Sequence, residues 1–197
     1  MTFLPKSDVL SLEELDRLCS AFVELGVNKL RLTGGEPLVR KNIMTLFAQL
    51  KPHLEAGDLD EVTLTTNGTL LARHAASLKE NGVRRVNVSL DTLDAERYRA
   101  VTRWGDVAKV LAGIDAALGE GLSVKLNAVV QKGQFERDAA DLIAYAHGRG
   151  MDLTFIEAMP LGGALDGYGE NHLPLSEAEA WLKARYTLEP VAKATGG

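Results

Sequence analysis

Apolar positions along the chain switch repeatedly between two periods. From Ser11 to Leu25, residues Leu12, Leu15, Leu18, Cys19, Phe22 and Val23 recur at helical spacing. Ser11 with Glu14 three residues on forms a capping-box signature, and Gly26 stands just past the end. Then "NKLRLTGGEP" alternates polar and apolar before stopping in a glycine turn, as a short strand does. Continued along the chain, the pattern predicts helices at 11–25, 42–54, 72–81, 95–119 with a break near Trp104 and Gly105, 135–149, and about 176–185. It predicts strands at 29–33, 61–66, 85–90, 123–130 and 153–157. A glycine-rich loop, "MPLGGALDGYGENHLP", precedes the last helix. One core over 1–187 is expected, with 188–197 a disordered tail.

Strands alternating with helices predict βαβ units and a parallel sheet with right-handed crossovers. The strand faces choose between an open doubly wound sheet and a barrel. Side chains two apart share a face. Lys29 and Arg31 do so, as do Thr63, Thr65 and Asn67, then Asn87, Ser89 and Asp91, then Lys125 and Asn127. The opposite positions read Leu30, Leu32, Val62, Leu64, Val86, Val88, Leu90, Val124 and Leu126. A sheet covered by helices on both faces would be apolar throughout. One polar face predicts instead a partial (β/α) TIM-like barrel around a wet or ligand-filled space. The fifth strand, "DLTFIEAMP", alternates less cleanly.

Composition narrows the chemistry. The chain has 197 residues, 46% hydrophobic, with a net charge of −5, so it offers no general basic field for nucleic acid. No apolar run is long enough for a membrane helix and no export leader is seen, so a cytoplasmic location is expected. One cysteine, Cys19, excludes a disulfide framework or a thiolate metal site within the chain; its helical spacing predicts a buried core thiol. The four histidines are scattered and form no HExxH-like pair.

In (β/α) barrels chemistry gathers at the C-terminal ends of the strands. Here those ends carry TGGEP, TTNG and SLD. Gly34 and Gly35 let backbone approach a ligand, and Glu36 presents a carboxylate suited to an ammonium group. Lys29, Arg31 and Lys125 on one face would repel one another unless an anion joins them, and arginine suits phosphate. Neither GxxxxGK[ST] nor GxGxxG occurs, so a nucleotide would be held by side chains.

The stretches "GVNKLRLTGGEPLVRKNI", "LTTNGTLL", "RRVNVSLDTLD", "VKLNAVVQKG" and "FIEAMPLG" resemble, in this order, the GTP 3′,8-cyclases of molybdenum cofactor biosynthesis. That family belongs to the radical S-adenosylmethionine (SAM) enzymes. The resemblance runs from about Phe3 to the end; GGEP alone would mark only the wider superfamily. It implies a partial barrel with the first strand missing here, which would leave Lys29–Thr33 as an exposed edge. It implies that Gly34, Gly35 and Glu36 hold the methionine part of SAM, with Ser89 and Met159 lining the same site. Lys29, Arg31, Thr65 and Lys125 would contact GTP. Thr154 stands where the family commonly has a basic residue. A homodimer is compatible with the family; nucleic-acid and membrane partners are not expected.

The family's reaction uses a [4Fe–4S] cluster to reduce SAM to a 5′-deoxyadenosyl radical, which removes the ribose 3′ hydrogen of GTP before C3′ bonds to C8. Such a cluster needs cysteine thiolates. The family's CxxxCxxC would lie just upstream of Met1, and a second cysteine set beyond Gly197. No metal ligand or catalytic residue is therefore assigned within the chain, which is expected to be inactive alone. Two other readings remain open from the residues: a Schiff-base lyase using Lys125, and a non-catalytic nucleotide-binding barrel.

Overall fold

The computed structural model describes residues 9–159 and 168–190. Its frame is a five-stranded sheet, all parallel and in chain order: β1 (Lys29–Leu32), β2 (Glu61–Thr66), β3 (Arg85–Ser89), β4 (Ser123–Val130) and β5 (Asp152–Glu157). Before and between the strands run α1 (Leu12–Glu24), α2 (Ile43–Ala56), α3 (Leu71–Glu80), α4 (Ala95–Thr102), α5 (Val107–Gly119) and α6 (Phe135–His147). After β5 come α7 (Tyr168–Asn171), where a loop was expected, and α8 (Leu175–Lys183). Of the tail expected over 188–197, residues 188–190 carry no helix or strand and 191–197 lie outside the described residues, as do the first eight residues and 160–167.

The local signals work as the residue types require. Ser11 Oγ accepts the Glu14 amide at 3.1 Å, and Glu14 Oε2 accepts the Ser11 amide at 2.7 Å, closing the capping box of α1. The break near Trp104 comes where α4 ends and Arg103 takes φ 69°; Asp106 then caps α5 by accepting the Ala108 amide at 3.0 Å.

One sheet face builds the core. Val62, Leu64, Val86, Val88, Leu126 and Val130 are buried against helices, together with Leu46, Leu50, Leu71, Leu78 and Ile114. Each of these leucines contributes about 2–5 kcal/mol relative to alanine at its site. The other face is mixed: Arg31, Ser89, Ser123, Val129, Asp152 and Ile156 are exposed, whereas Thr63 and Asn87 near its middle are buried. The sheet is thus open, with edges at β1 and β5, and not a closed barrel filled with branched side chains.

Helix α1 departs from expectation. Only Val23 is buried; Leu18 and Phe22 are exposed and Cys19 is half-buried, packed at the margin of the core. Its apolar stripe is wider than the surface that α2 offers it. Burial, and secondarily the nearby Asp16, push the Cys19 thiol up, so it is a poor thiolate source.

Candidate functional site

Pairing register puts the polar positions on one face. Arg31 pairs with Thr63; Thr65 pairs with Asn87, and Asn87 with Lys125. Thr65, Asn87 and Lys125 therefore form one cross-sheet row, with its ends about 10 Å apart at ordinary strand spacing. The next row toward the C-terminal end is Ser89, Asn127 and Thr154. Thr154 therefore faces the same space as the other predicted contacts. Lys29 sits lower, opposite Glu61 at the sheet edge.

The face is more balanced in charge than the sequence pattern suggested. Arg85 also lies on it and donates to both carboxylate oxygens of Glu61, at 3.1 and 3.2 Å. Asp152 on β5 stands opposite Lys125. Mutual repulsion among three unpaired cations is therefore not the argument for a guest anion. Arg85 and Glu61 were legible only as strand-end charges; their pairing needs the register.

A stronger sign is Asn87. Its side chain is 2% exposed and its Nδ2 has no hydrogen-bond partner, midway between Thr65 and Lys125. A buried donor left unsatisfied costs about 1–3 kcal/mol. A water or a ligand acceptor reaching this row would relieve it.

The turn after β1 is braced rather than loose. Gly34 has φ 151°, and a Cβ built at Gly34 or Gly35 would meet no atom within 4 Å, so backbone here borders open space. Glu36 does not present a free carboxylate. Its Oε1 accepts Thr66 Oγ1 at 2.7 Å and the Leu38 amide at 3.1 Å, and its Oε2 accepts the Asn67 amide at 2.6 Å. It caps the short 3₁₀ turn Pro37–Val39 and ties that turn to the end of β2. A carboxylate has about four lone-pair directions, so roughly one remains for an ammonium group. Ser89 ends β3, exposed on the polar side. Met159 lies two residues beyond β5 and is 65% exposed, at the same sheet end but not packed on the face.

Asp91, two residues beyond Ser89, was read as a face residue but given no role. Its Oδ1 accepts the Val129 amide at 2.8 Å, strapping the end of β3 to β4. Burial pushes its carboxyl above the ordinary range; the Val129 bond opposes this and Asp138 adds to it. A carboxyl whose folded pKa is raised stabilises the fold fully below its unfolded value of about 3.9, and that contribution is lost as pH rises through the folded value. Asp91→Asn keeps an oxygen for Val129 and stays neutral. Its stability relative to the parent is therefore expected to grow in urea unfolding as pH rises above the ordinary aspartate range, until the Asp91 carboxyl has ionised in the folded parent. A difference independent of pH would refute this.

The chain matches the Radical SAM superfamily over residues 2–146. It belongs to that superfamily. This radical SAM chain is 60% identical over all its 197 residues to a Rhodopseudomonas palustris protein named GTP 3′,8-cyclase, covering 57% of that protein. A Rhizobium etli protein of the same name is also 60% identical, with 56% of its length covered. The chain thus spans little more than half the length of the curated relatives it matches. Among solved structures it resembles SuiB of Streptococcus suis, with a TM-score of 0.68 at 17% identity over 90% of this chain and 41% of that one. It also resembles anSMEcpe with bound AdoMet, with a TM-score of 0.65 at 19% identity over 89% of this chain and 50% of that one. These likenesses establish the fold: an α/β parallel sheet of the radical SAM type. Among the described residues no helix is long and apolar enough to cross a membrane.

Proposed function

We propose that the open sheet face and its C-terminal turns form the nucleotide and SAM half of a GTP 3′,8-cyclase of molybdenum cofactor biosynthesis. The observation that carries this reading is the row Thr65–Asn87–Lys125, with its orphaned buried amide, beside Arg31. Whole-chain identity of 60% to proteins of that name supports it over a Schiff-base lyase or a non-catalytic barrel.

SAM fits the residues present. The open turn at Gly34 and Gly35 offers backbone to its methionine part, Glu36 one remaining acceptor direction, and Ser89 a hydroxyl beside it. Met159 would close over the same end. In this family SAM supplies the adenosyl group on which the chemistry depends. The chain's own residues would orient it, and Arg31, Lys125, Thr65 and Lys29 would hold the triphosphate end of GTP by charge-assisted hydrogen bonds.

A [4Fe–4S] cluster does not fit these residues. The 197 residues supply one thiolate, on α1, and among the described residues no group of three or more His, Cys, Asp or Glu could hold a metal ion. No chemical step is therefore assigned to this chain alone.

GTP binding measured by calorimetry on the chain tests the reading. Charge-assisted hydrogen bonds are worth about 1.5–3 kcal/mol. Lys125→Ala and Arg31→Ala are each expected to raise Kd at least about tenfold. Lys183→Ala, on exposed α8, should leave it unchanged. Affinity that is insensitive to Arg31 and Lys125 would remove the sheet face as the nucleotide site.

A further inference from the structure

The loop that follows the GGEP turn has a second side. Behind it, a cleft of about 700 Å³ opens between the N-terminal ends of α2 and α3, lined by Val39–Thr45 on one side and Leu70, Arg73 and His74 on the other. Three cations, Arg40, Lys41 and Arg73, border it together with His74, and no acidic side chain does among the described residues. That is unexpected in a chain with 27 acidic and 22 basic residues.

Some cations elsewhere are paired, among them Lys51 with Glu55, Arg85 with Glu61, Arg97 with Asp138, Arg149 with Asp115 and Lys183 with Glu179. Others, such as Arg99, Arg103 and Lys109, are exposed singly and, among the described residues, line no cleft shared with other cations. Lys41 and Arg73 have no salt bridge among the described residues and both side chains are exposed. Arg40 is less available, since its guanidinium donates to the Leu10 carbonyl and lies within electrostatic reach of Glu13. Neither α2 nor α3 has a side-chain N-cap, so the partial positive charge of both helix ends adds to the same field.

We propose that this cleft is an anion site for a small phosphate-bearing ligand carrying at least two negative charges, held chiefly by Lys41 and Arg73. Lys41 and Arg73 reach the cleft from different elements, so a diphosphate-like group, with a charge for each, matches them better than a single carboxylate. The volume lies within the range of small-molecule sites. The site shares no residue with the sheet face, and its occupancy does not depend on the GTP reading. His74 supplies a local reporter. Burial, and then the charge of Arg73, already hold its pKa below the ordinary histidine value, and a polyanion beside it would reverse part of that.

The test is an NMR titration of the chain with inorganic pyrophosphate, following the histidine ring signals, with His74 assigned through His74→Gln. Pyrophosphate is expected to shift the His74 signal and raise its titration midpoint. Arg73→Glu and Lys41→Glu should each weaken that response at least about tenfold, and added salt should weaken it too. Lys125→Ala should leave the His74 response intact, which separates this site from the sheet face. A His74 signal unmoved by millimolar pyrophosphate, or a shift that survives both charge reversals, would overturn the proposal. So would a response that disappears in Lys125→Ala.

Discussion

Gly113→Val is expected to destabilise the protein by about 3 kcal/mol, the upper part of the range for an overpacked core site. Gly113 is buried on α5, where a Cβ would stand 2.4 Å from the Gly68 carbonyl oxygen and 3.1 Å from Leu71 Cβ. The first of those atoms is backbone, held in the turn that follows β2, so no rotamer change can clear the clash. At about 2–4 °C per kcal/mol for a chain of this size, the melting temperature should fall by about 6–12 °C. Gly113→Ala should lose less, because alanine gains about 1 kcal/mol over glycine within a helix. The displaced turn also carries Asn67, so the Glu36 brace should loosen with it. A valine variant melting within about 2 °C of the parent would show that α5 and this turn are not in the contact described.

Glu36→Ala combines a structural and a binding effect. It removes the acceptor for Thr66 Oγ1, on a residue 2% exposed, and for the amide of buried Leu38. Each buried group left without a partner costs about 1–3 kcal/mol, whereas the exposed Asn67 amide can turn to water. A loss of about 2–6 kcal/mol is expected in urea unfolding. SAM affinity should fall as well, since the turn at Gly34 and Gly35 would no longer be fixed against β2. Glu36→Asp separates the effects. Its shorter arm cannot reach both Thr66 and Leu38, so binding should weaken even if part of the stability returns. SAM affinity that is unchanged in Glu36→Ala would remove this turn from the cofactor site.

The elements were legible because each helix and strand has its own period and stop signal. Ser11 with Glu14, and Asp106 after the break at Trp104, act locally, so a few adjacent residues suffice to place them. The polar face was legible for the same reason: alternation within a strand needs no knowledge of its neighbours. What alternation could not disclose is which charges meet. Arg85 and Glu61 are 24 positions apart, and only the register of β2 and β3 makes them a pair. Glu36 looked like a free carboxylate because Thr66 and Asn67, which occupy it, arrive from the next strand 30 residues on. Cys19 and Leu18 were expected inside because their spacing is helical, yet burial depends on how much surface α2 presents.

The chain's own order of residues therefore determined a parallel α/β sheet with one apolar and one polar side, and the motifs at its C-terminal end, since these follow from backbone period and local caps. Tertiary structure alone decided that Asn87 is stranded between Thr65 and Lys125, that Glu36 serves as a brace, and that Lys41 and Arg73 face one cleft. Hydrogen bonds and charges act over a few ångströms in space, and distance in space between residues on different elements is set by packing.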